Sequence, residues 1–199
     1  MKKKIALLAL MAIFAAIAAS STIAYFTSET TAHNVITSGG IGITLVETMN
    51  DGEPFINQTG VMPATSVSKI VKVLNDEEMS WIRVKLITSV ESAGGASELD
   101  SKYVIPRFIH GEKAISLKQL EAAENSFFKW TYNAEDGYWY YTEPVENGAY
   151  TDALFHEVYF DANMGNAYQG CTVKIDVKAE AVQYANNGST VFEAAGWPN

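Results

Sequence analysis

"SWIRVKLITSV", residues 80–90, decides the fold class. Ile82, Val84 and Leu86 alternate with Arg83, Lys85 and Ile87, behind Trp81. A period of two belongs to a strand with one buried face; in a helix the apolar positions would recur every three or four residues. Upstream, "TSVSKIVKVLN" (65–75) carries the same rhythm through Val67, Ile70 or Val71, and Val73, after Pro63 breaks the preceding loop. "NDEEM" (75–79) reads as the turn between the two runs, so the spacing predicts an antiparallel pair across it. Farther upstream Ile41, Ile43 and Leu45 alternate with Gly42, Thr44 and Val46.

The C-terminal half repeats the pattern. "FFKWTYNAEDGYWYYT" (127–142) is two aromatic runs around Asp136-Gly137, a strong hairpin signal, with Tyr138 and Tyr140 on one face and Trp139 and Tyr141 on the other. "LFHEVYFD" (154–161) is a further strand. "CTVKIDVKAEAVQ" (171–183) points Val173, Ile175, Val177, Ala179 and Ala181 inward and Lys174, Asp176, Lys178 and Glu180 outward. One stretch departs from the rhythm: in "SLKQLEAAENSFF" (116–128) Ser116 caps a helical spacing of Leu117, Leu120 and Ala123 or Glu124. With Gly94, Gly95 and Gly111 before it, residues 91–126 read as an insertion. The sum is an all-β domain over residues 41–199, most simply a jelly-roll β-sandwich with a helical and loop insertion.

The amino terminus is of another kind. Lys2, Lys3 and Lys4 precede a run from Ile5 to Phe26 without a charged side chain, long enough to span a bilayer. Length does not separate an anchor from a cleaved leader, but the enrichment in Ala and Ser from Ala15 onward does. Thr22-Ile23-Ala24 places small residues at the −3 and −1 subsites of a signal peptidase, which predicts a signal peptide over 1–24, cleavage before Tyr25 and a mature N-terminal segment over 25–40. Loss of the leader takes the net charge from −9 to −12, since three of the 14 basic residues and none of the 23 acidic ones lie in it. Such a surface repels phosphate backbones, which excludes nucleic acid as a partner. Cys171 is the one cysteine, so no intrachain disulfide forms, and it reads as a small buried hydrophobe.

Catalytic patterns are weak. A zinc hydrolase needs three converging ligands, and only His33, His110 and His156 offer imidazoles. "HEVYF" opens like a zincin helix yet carries Phe160 where the second imidazole must stand. No serine occupies a Gly-x-Ser-x-Gly elbow, and no Gly-rich turn joins a strand to a helix. The acidic clusters "NDGE" (50–53) and "NDEE" (75–78) read as solvated turns rather than calcium loops. No catalytic residue, metal or cofactor is expected. Trp130, Tyr132, Trp139 and Tyr141 form an aromatic band, a candidate for surface contacts with carbohydrate as well as for ordinary cross-strand packing.

Four stretches taken together carry a resemblance: "IAYFTSETTAHNVITSGGIGITL" (23–45) after the apolar leader, "VMPATSVSKIVKVLNDEEMSWIRVKL" (61–86), "DGYWYYTEPVENGAYTDALFHEVYF" (136–160) and "VKAEAVQYAN" (177–186). The chain resembles the TasA and camelysin family of exported Gram-positive proteins, which a SipW-type signal peptidase processes. The resemblance implies a jelly roll, export to the cell surface or extracellular matrix, and self-association into biofilm-matrix fibres, with an accessory matrix protein as a further partner. It also implies that the segment from Tyr25 to about Gly40 leaves its own subunit and adds a strand to the next. Phe26, Val35 and Ile36 would be its anchors, Asn34 would end the peptidase recognition stretch, and Gly39-Gly40 would be its hinge. Two other classes stand beside this reading: a camelysin-like surface metallopeptidase, and a carbohydrate-binding surface module resting on the aromatic band.

Overall fold

The structure, a computed structural model, describes residues 27–29, 32–33, 41–58, 60–110, 113–122 and 129–198. Its elements are β1 (Thr27–Glu29), β2 (Ala32–His33), β3 (Ile43–Thr48), β4 (Thr65–Ser68), β5 (Ile70–Asn75), β6 (Ser80–Glu91), β7 (Glu98–Leu99), β8 (Val104–His110), β9 (Lys113–Ile115), α1 (Leu117–Ala122), β10 (Trp130–Asn133), β11 (Tyr138–Tyr141), β12 (Glu157–Phe160) and β13 (Thr172–Gln183). The chain is predominantly β, in several largely antiparallel sheets.

The largest sheet runs β1-β13-β6-β11-β10, with β2 also on β13 and β7 on β6. Its spine is the antiparallel pair of β13 and β6, in unbroken register from Thr172↔Glu91 to Gln183↔Ser80. The alternation in both strands holds: Val173, Ile175, Val177, Ala179 and Ala181 are buried on one face, beside Ile82 and Val84 of β6. Fully burying each large aliphatic side chain contributes about 1.5–3 kcal/mol.

Two smaller sheets, β4-β12-β8-β9 and β3-β5, are joined by backbone hydrogen bonds outside the strands. Lys69 N donates to His156 O, Val71 N to Phe155 O and Thr151 N to Val73 O. "TSVSKIVKVLN" therefore lies along residues 149–160 as one extended run, interrupted only at Lys69. Leu45, Val71, Val73, Val158 and Phe160 from this layer share one core with Ile82, Val173 and Ile175 of the large sheet.

The hairpin expected across residues 75–79 does not form. β5 pairs with β3, whereas β6 pairs with β13, β11 and β7. The turn carries the chain from one layer to the other, pinned by Asn75, whose buried Nδ2 donates to the Glu78 and Val145 carbonyls at 2.8 Å each. A long register with β13 outweighs the short one a local hairpin would give.

The stretch read as an insertion supplies strands to the sheet. β8 pairs with β12 from Val104↔Phe160 to Arg107↔Glu157, and β9 continues outward from β8. Pro106 is tolerated inside β8 because β9 reaches only Phe108 to His110, leaving that side of Pro106 without a strand partner. α1 spans six residues and packs against β8. The Asp136-Gly137 hairpin does form: Asn133 faces Tyr138, the loop is residues 134–137, and Gly137 supplies a φ of 74°.

Candidate functional site

β13 has two edges. One is fully engaged by β6; the other carries β1 and β2 in parallel, the only strands on it among the described residues. Both hold one register, Thr27 opposite Thr172 and Ala32 opposite Val177, so they run as two stretches of a single edge line. They are the only parallel pairings among the described residues, and parallel pairs are slightly weaker per residue than antiparallel ones. The described parallel pairing ends at Lys178, opposite His33.

The outward face of the same strand is charged and tied down. Lys174 Nζ stands 3.3 Å from Glu91 Oε1, and Lys178 Nζ stands 2.6 Å from Glu180 Oε1. Glu180 is wholly buried although it lies on the outward face, because the C-terminal tail folds over it. Trp81, Tyr138, Tyr140, Val182, Val191 and Ala194 form a second small core there, with Trp197 packed on it. Arg83 sits under that cover, with its guanidinium 4.0 Å from the Tyr138 ring centre and 4.6 Å from that of Trp197, and it donates to Pro198 O at 3.1 Å. The tail therefore covers the Glu180–Val182 end of β13, while ion pairs of Lys174 and Lys178 line the stretch beside β1 and β2.

Thr22, Ala24, Tyr25, Phe26, Asn34, Val35, Ile36, Gly39 and Gly40 lie outside the described residues. Of the aromatic band, Trp130, Trp139 and Tyr141 are buried and only Tyr132 reaches the surface, at 37% exposure. Trp130 faces Tyr141 and Tyr132 faces Trp139 across β10 and β11, with ring centres 5.0 and 5.1 Å apart. Trp139 also packs on Phe108 at 5.0 Å, so the band ties the large sheet to β8. Tyr132 and Trp139 do line one open apolar cavity of about 260 Å³, with Leu86, Pro106, Phe108 and Leu117.

His33 is in β2, His110 ends β8 and His156 precedes β12, and no group of three His, Cys, Asp or Glu side chains is arranged to hold a metal among the described residues. Burial and the nearby Lys72 charge lower the pKa of His156. Cys171 is fully buried, and burial pushes its thiol up to about 11, which keeps it protonated and inert. No helix among the described residues is long and apolar enough to cross a membrane.

Sequence reasoning missed two features. The contact between Arg83 and Glu180 joins residues 97 apart and leaves no local pattern. The second, a break in strand phase at Ala153-Leu154-Phe155, is visible as three consecutive buried residues where alternation would allow one or two. No protein-family model matches the chain, and no curated protein matches it.

Proposed function

We propose that the chain is a secreted structural subunit of extracellular biofilm-matrix or cell-surface fibres, assembling by N-terminal donor-strand addition. The observation that carries the reading is the single parallel register of β1 and β2 on the outer edge of β13. A parallel edge strand is not joined to its neighbour by a tight turn, so the same strand from a second copy can make the same main-chain bonds. Occupied by its own segment, the edge closes within one subunit; occupied by a neighbour's, the contact is head-to-tail and propagates into a filament. The unbroken pairing of β13 with β6 supports this, since it holds the acceptor strand in place.

The fold belonging to this reading is the jelly-roll sandwich of the resembled TasA and camelysin proteins. Two hydrogen-bonded layers around one core support it. A SipW-type peptidase would release the segment, and an accessory matrix protein would be a partner in assembly. No catalytic role is assigned.

Negative-stain electron microscopy of a chain beginning at Tyr25, beside one beginning at Ile41, tests the proposal. Filaments from the longer chain alone are expected. Filaments from both, or from neither in the presence of matrix extract, would overturn assembly through this segment.

A further inference from the structure

The strand segment leading into β12 contains an extra residue relative to β5. Thr151 N donates to Val73 O, and the next rung toward β12 is Leu154 N to Val71 O, so three steps on one strand match two on the other. This is a β-bulge, a device that re-aims side chains and breaks the flat surface of a sheet. Here it opens a cleft of about 460 Å³ walled by Lys72, Ile109, Tyr150, Asp152, Ala153 and His156.

The bulge is braced from beneath. Trp130 Nε1 donates to Asp152 O at 3.0 Å, and Asp152 N donates to the Tyr141 hydroxyl at 3.2 Å. Two members of the aromatic band therefore fix the backbone of the cleft instead of meeting a ligand. The aromatic ring left free at the cleft is that of Tyr150, at 53% exposure. Beside it stand Lys72 and Asp152, the carboxylate of Asp152 lying 3.9 Å from Lys129 Nζ, so both signs of charge border the cleft.

An exposed aromatic face beside donors and acceptors of both signs of charge is the recognition chemistry of a hydroxyl-rich, uncharged ring. We propose that this cleft binds one residue of a neutral polysaccharide, with Tyr150 stacked on the sugar face and Lys72 and Asp152 bonded to its hydroxyls. The site lies on the layer opposite the β13 edge, so it is independent of strand donation and would let a subunit grip polysaccharide while its edge is occupied.

The test is two-dimensional amide NMR of the exported protein titrated separately with cellotetraose, chitotetraose and maltotetraose, repeated on Tyr150→Ala. Saturable shifts at Lys72, Tyr150, Asp152 and His156 with at least one sugar are expected, weakened by about tenfold or more in Tyr150→Ala while the rest of its spectrum is unchanged. Absence of saturable shifts with all three sugars overturns the proposal. So do shifts centred on Tyr132 and Trp139, which would assign binding to the apolar cavity, and so does unchanged affinity in Tyr150→Ala.

Discussion

Arg83 donates from Nε to one oxygen of Glu180, Oε2, at 2.7 Å, and its Nη2 stands 2.7 Å from the same oxygen. The other oxygen accepts from Lys178 at 2.6 Å and from the Tyr138 hydroxyl at 3.1 Å. A wholly buried carboxylate is thus held by three side chains, two of them cations. Removing one partner of such a pair leaves the other charged and dry, which typically costs about 3–5 kcal/mol. Glu180→Leu should therefore lower the urea midpoint strongly, and the double variant Arg83→Met/Glu180→Leu should recover much of the loss. Additive losses in the double variant would show that the two residues act separately.

The same group sets an acid limb. Burial alone would push the Glu180 carboxyl up, but hydrogen bonds from Lys178, Arg83 and Tyr138 outweigh it and hold its pKa below the ordinary value of 4.5. The folded state then binds fewer protons than the unfolded one in that window, so the contribution is complete above pH 4.5 and is lost as pH falls through the lower folded value. Stability measured from pH 6 to 3 should fall less steeply in Glu180→Gln than in the parent.

Trp139 and Tyr132 face each other across β10 and β11, yet their exposures are 4% and 37%. Trp139→Ala should destabilise by about 3–5 kcal/mol through the cavity it leaves, and Tyr132→Ala by about 1 kcal/mol or less. Equal losses in chemical denaturation would contradict the burial that separates them.

Cys171 should be silent to thiol reagents in the folded protein, since the thiolate is the reactive form and burial holds the thiol at about 11. Labelling at pH 8 should follow global unfolding, rising with urea at the same midpoint as the fluorescence change. Rapid labelling without denaturant would mean that the strand start is open.

The assembly proposal has a covalent test. Glu29 lies opposite Lys174 in the parallel register. Glu29→Cys/Lys174→Cys, in a Cys171→Ala background, should form a disulfide that keeps the segment in its own subunit. The oxidised protein should form no filaments, and reduction should restore them. Filaments from a fully oxidised sample would rule out strand exchange.

Much of the sheet was legible because period-two alternation is a local property. The alternation of β6 and β13 was readable, though not the burial of Arg83 and Glu180 on their polar face, and so was the hairpin at Gly137, whose positive φ only glycine adopts freely. Pairing was another matter. "NDEEM" looked like a hairpin turn, but whether two strands joined by a turn pair or part depends on which distant strand offers each the longer register. β8 was hidden for a similar reason, since Pro106 and its glycine-rich surroundings mark breaks until β12 is known to lie alongside.

By itself the sequence determined which face of β6 and of β13 is apolar, that the chain is mostly strand, that no intrachain disulfide holds it, and that its net charge is acidic. Those follow from composition and from the two-residue repeat. Only the tertiary structure decided that β5 and β6 part into different layers, that Arg83 and Glu180 share a buried contact, and that an extra residue after Thr151 opens a cleft. Each of these depends on the mutual placement of strands distant in sequence. A burial pattern records which face of a strand is covered, and not by what.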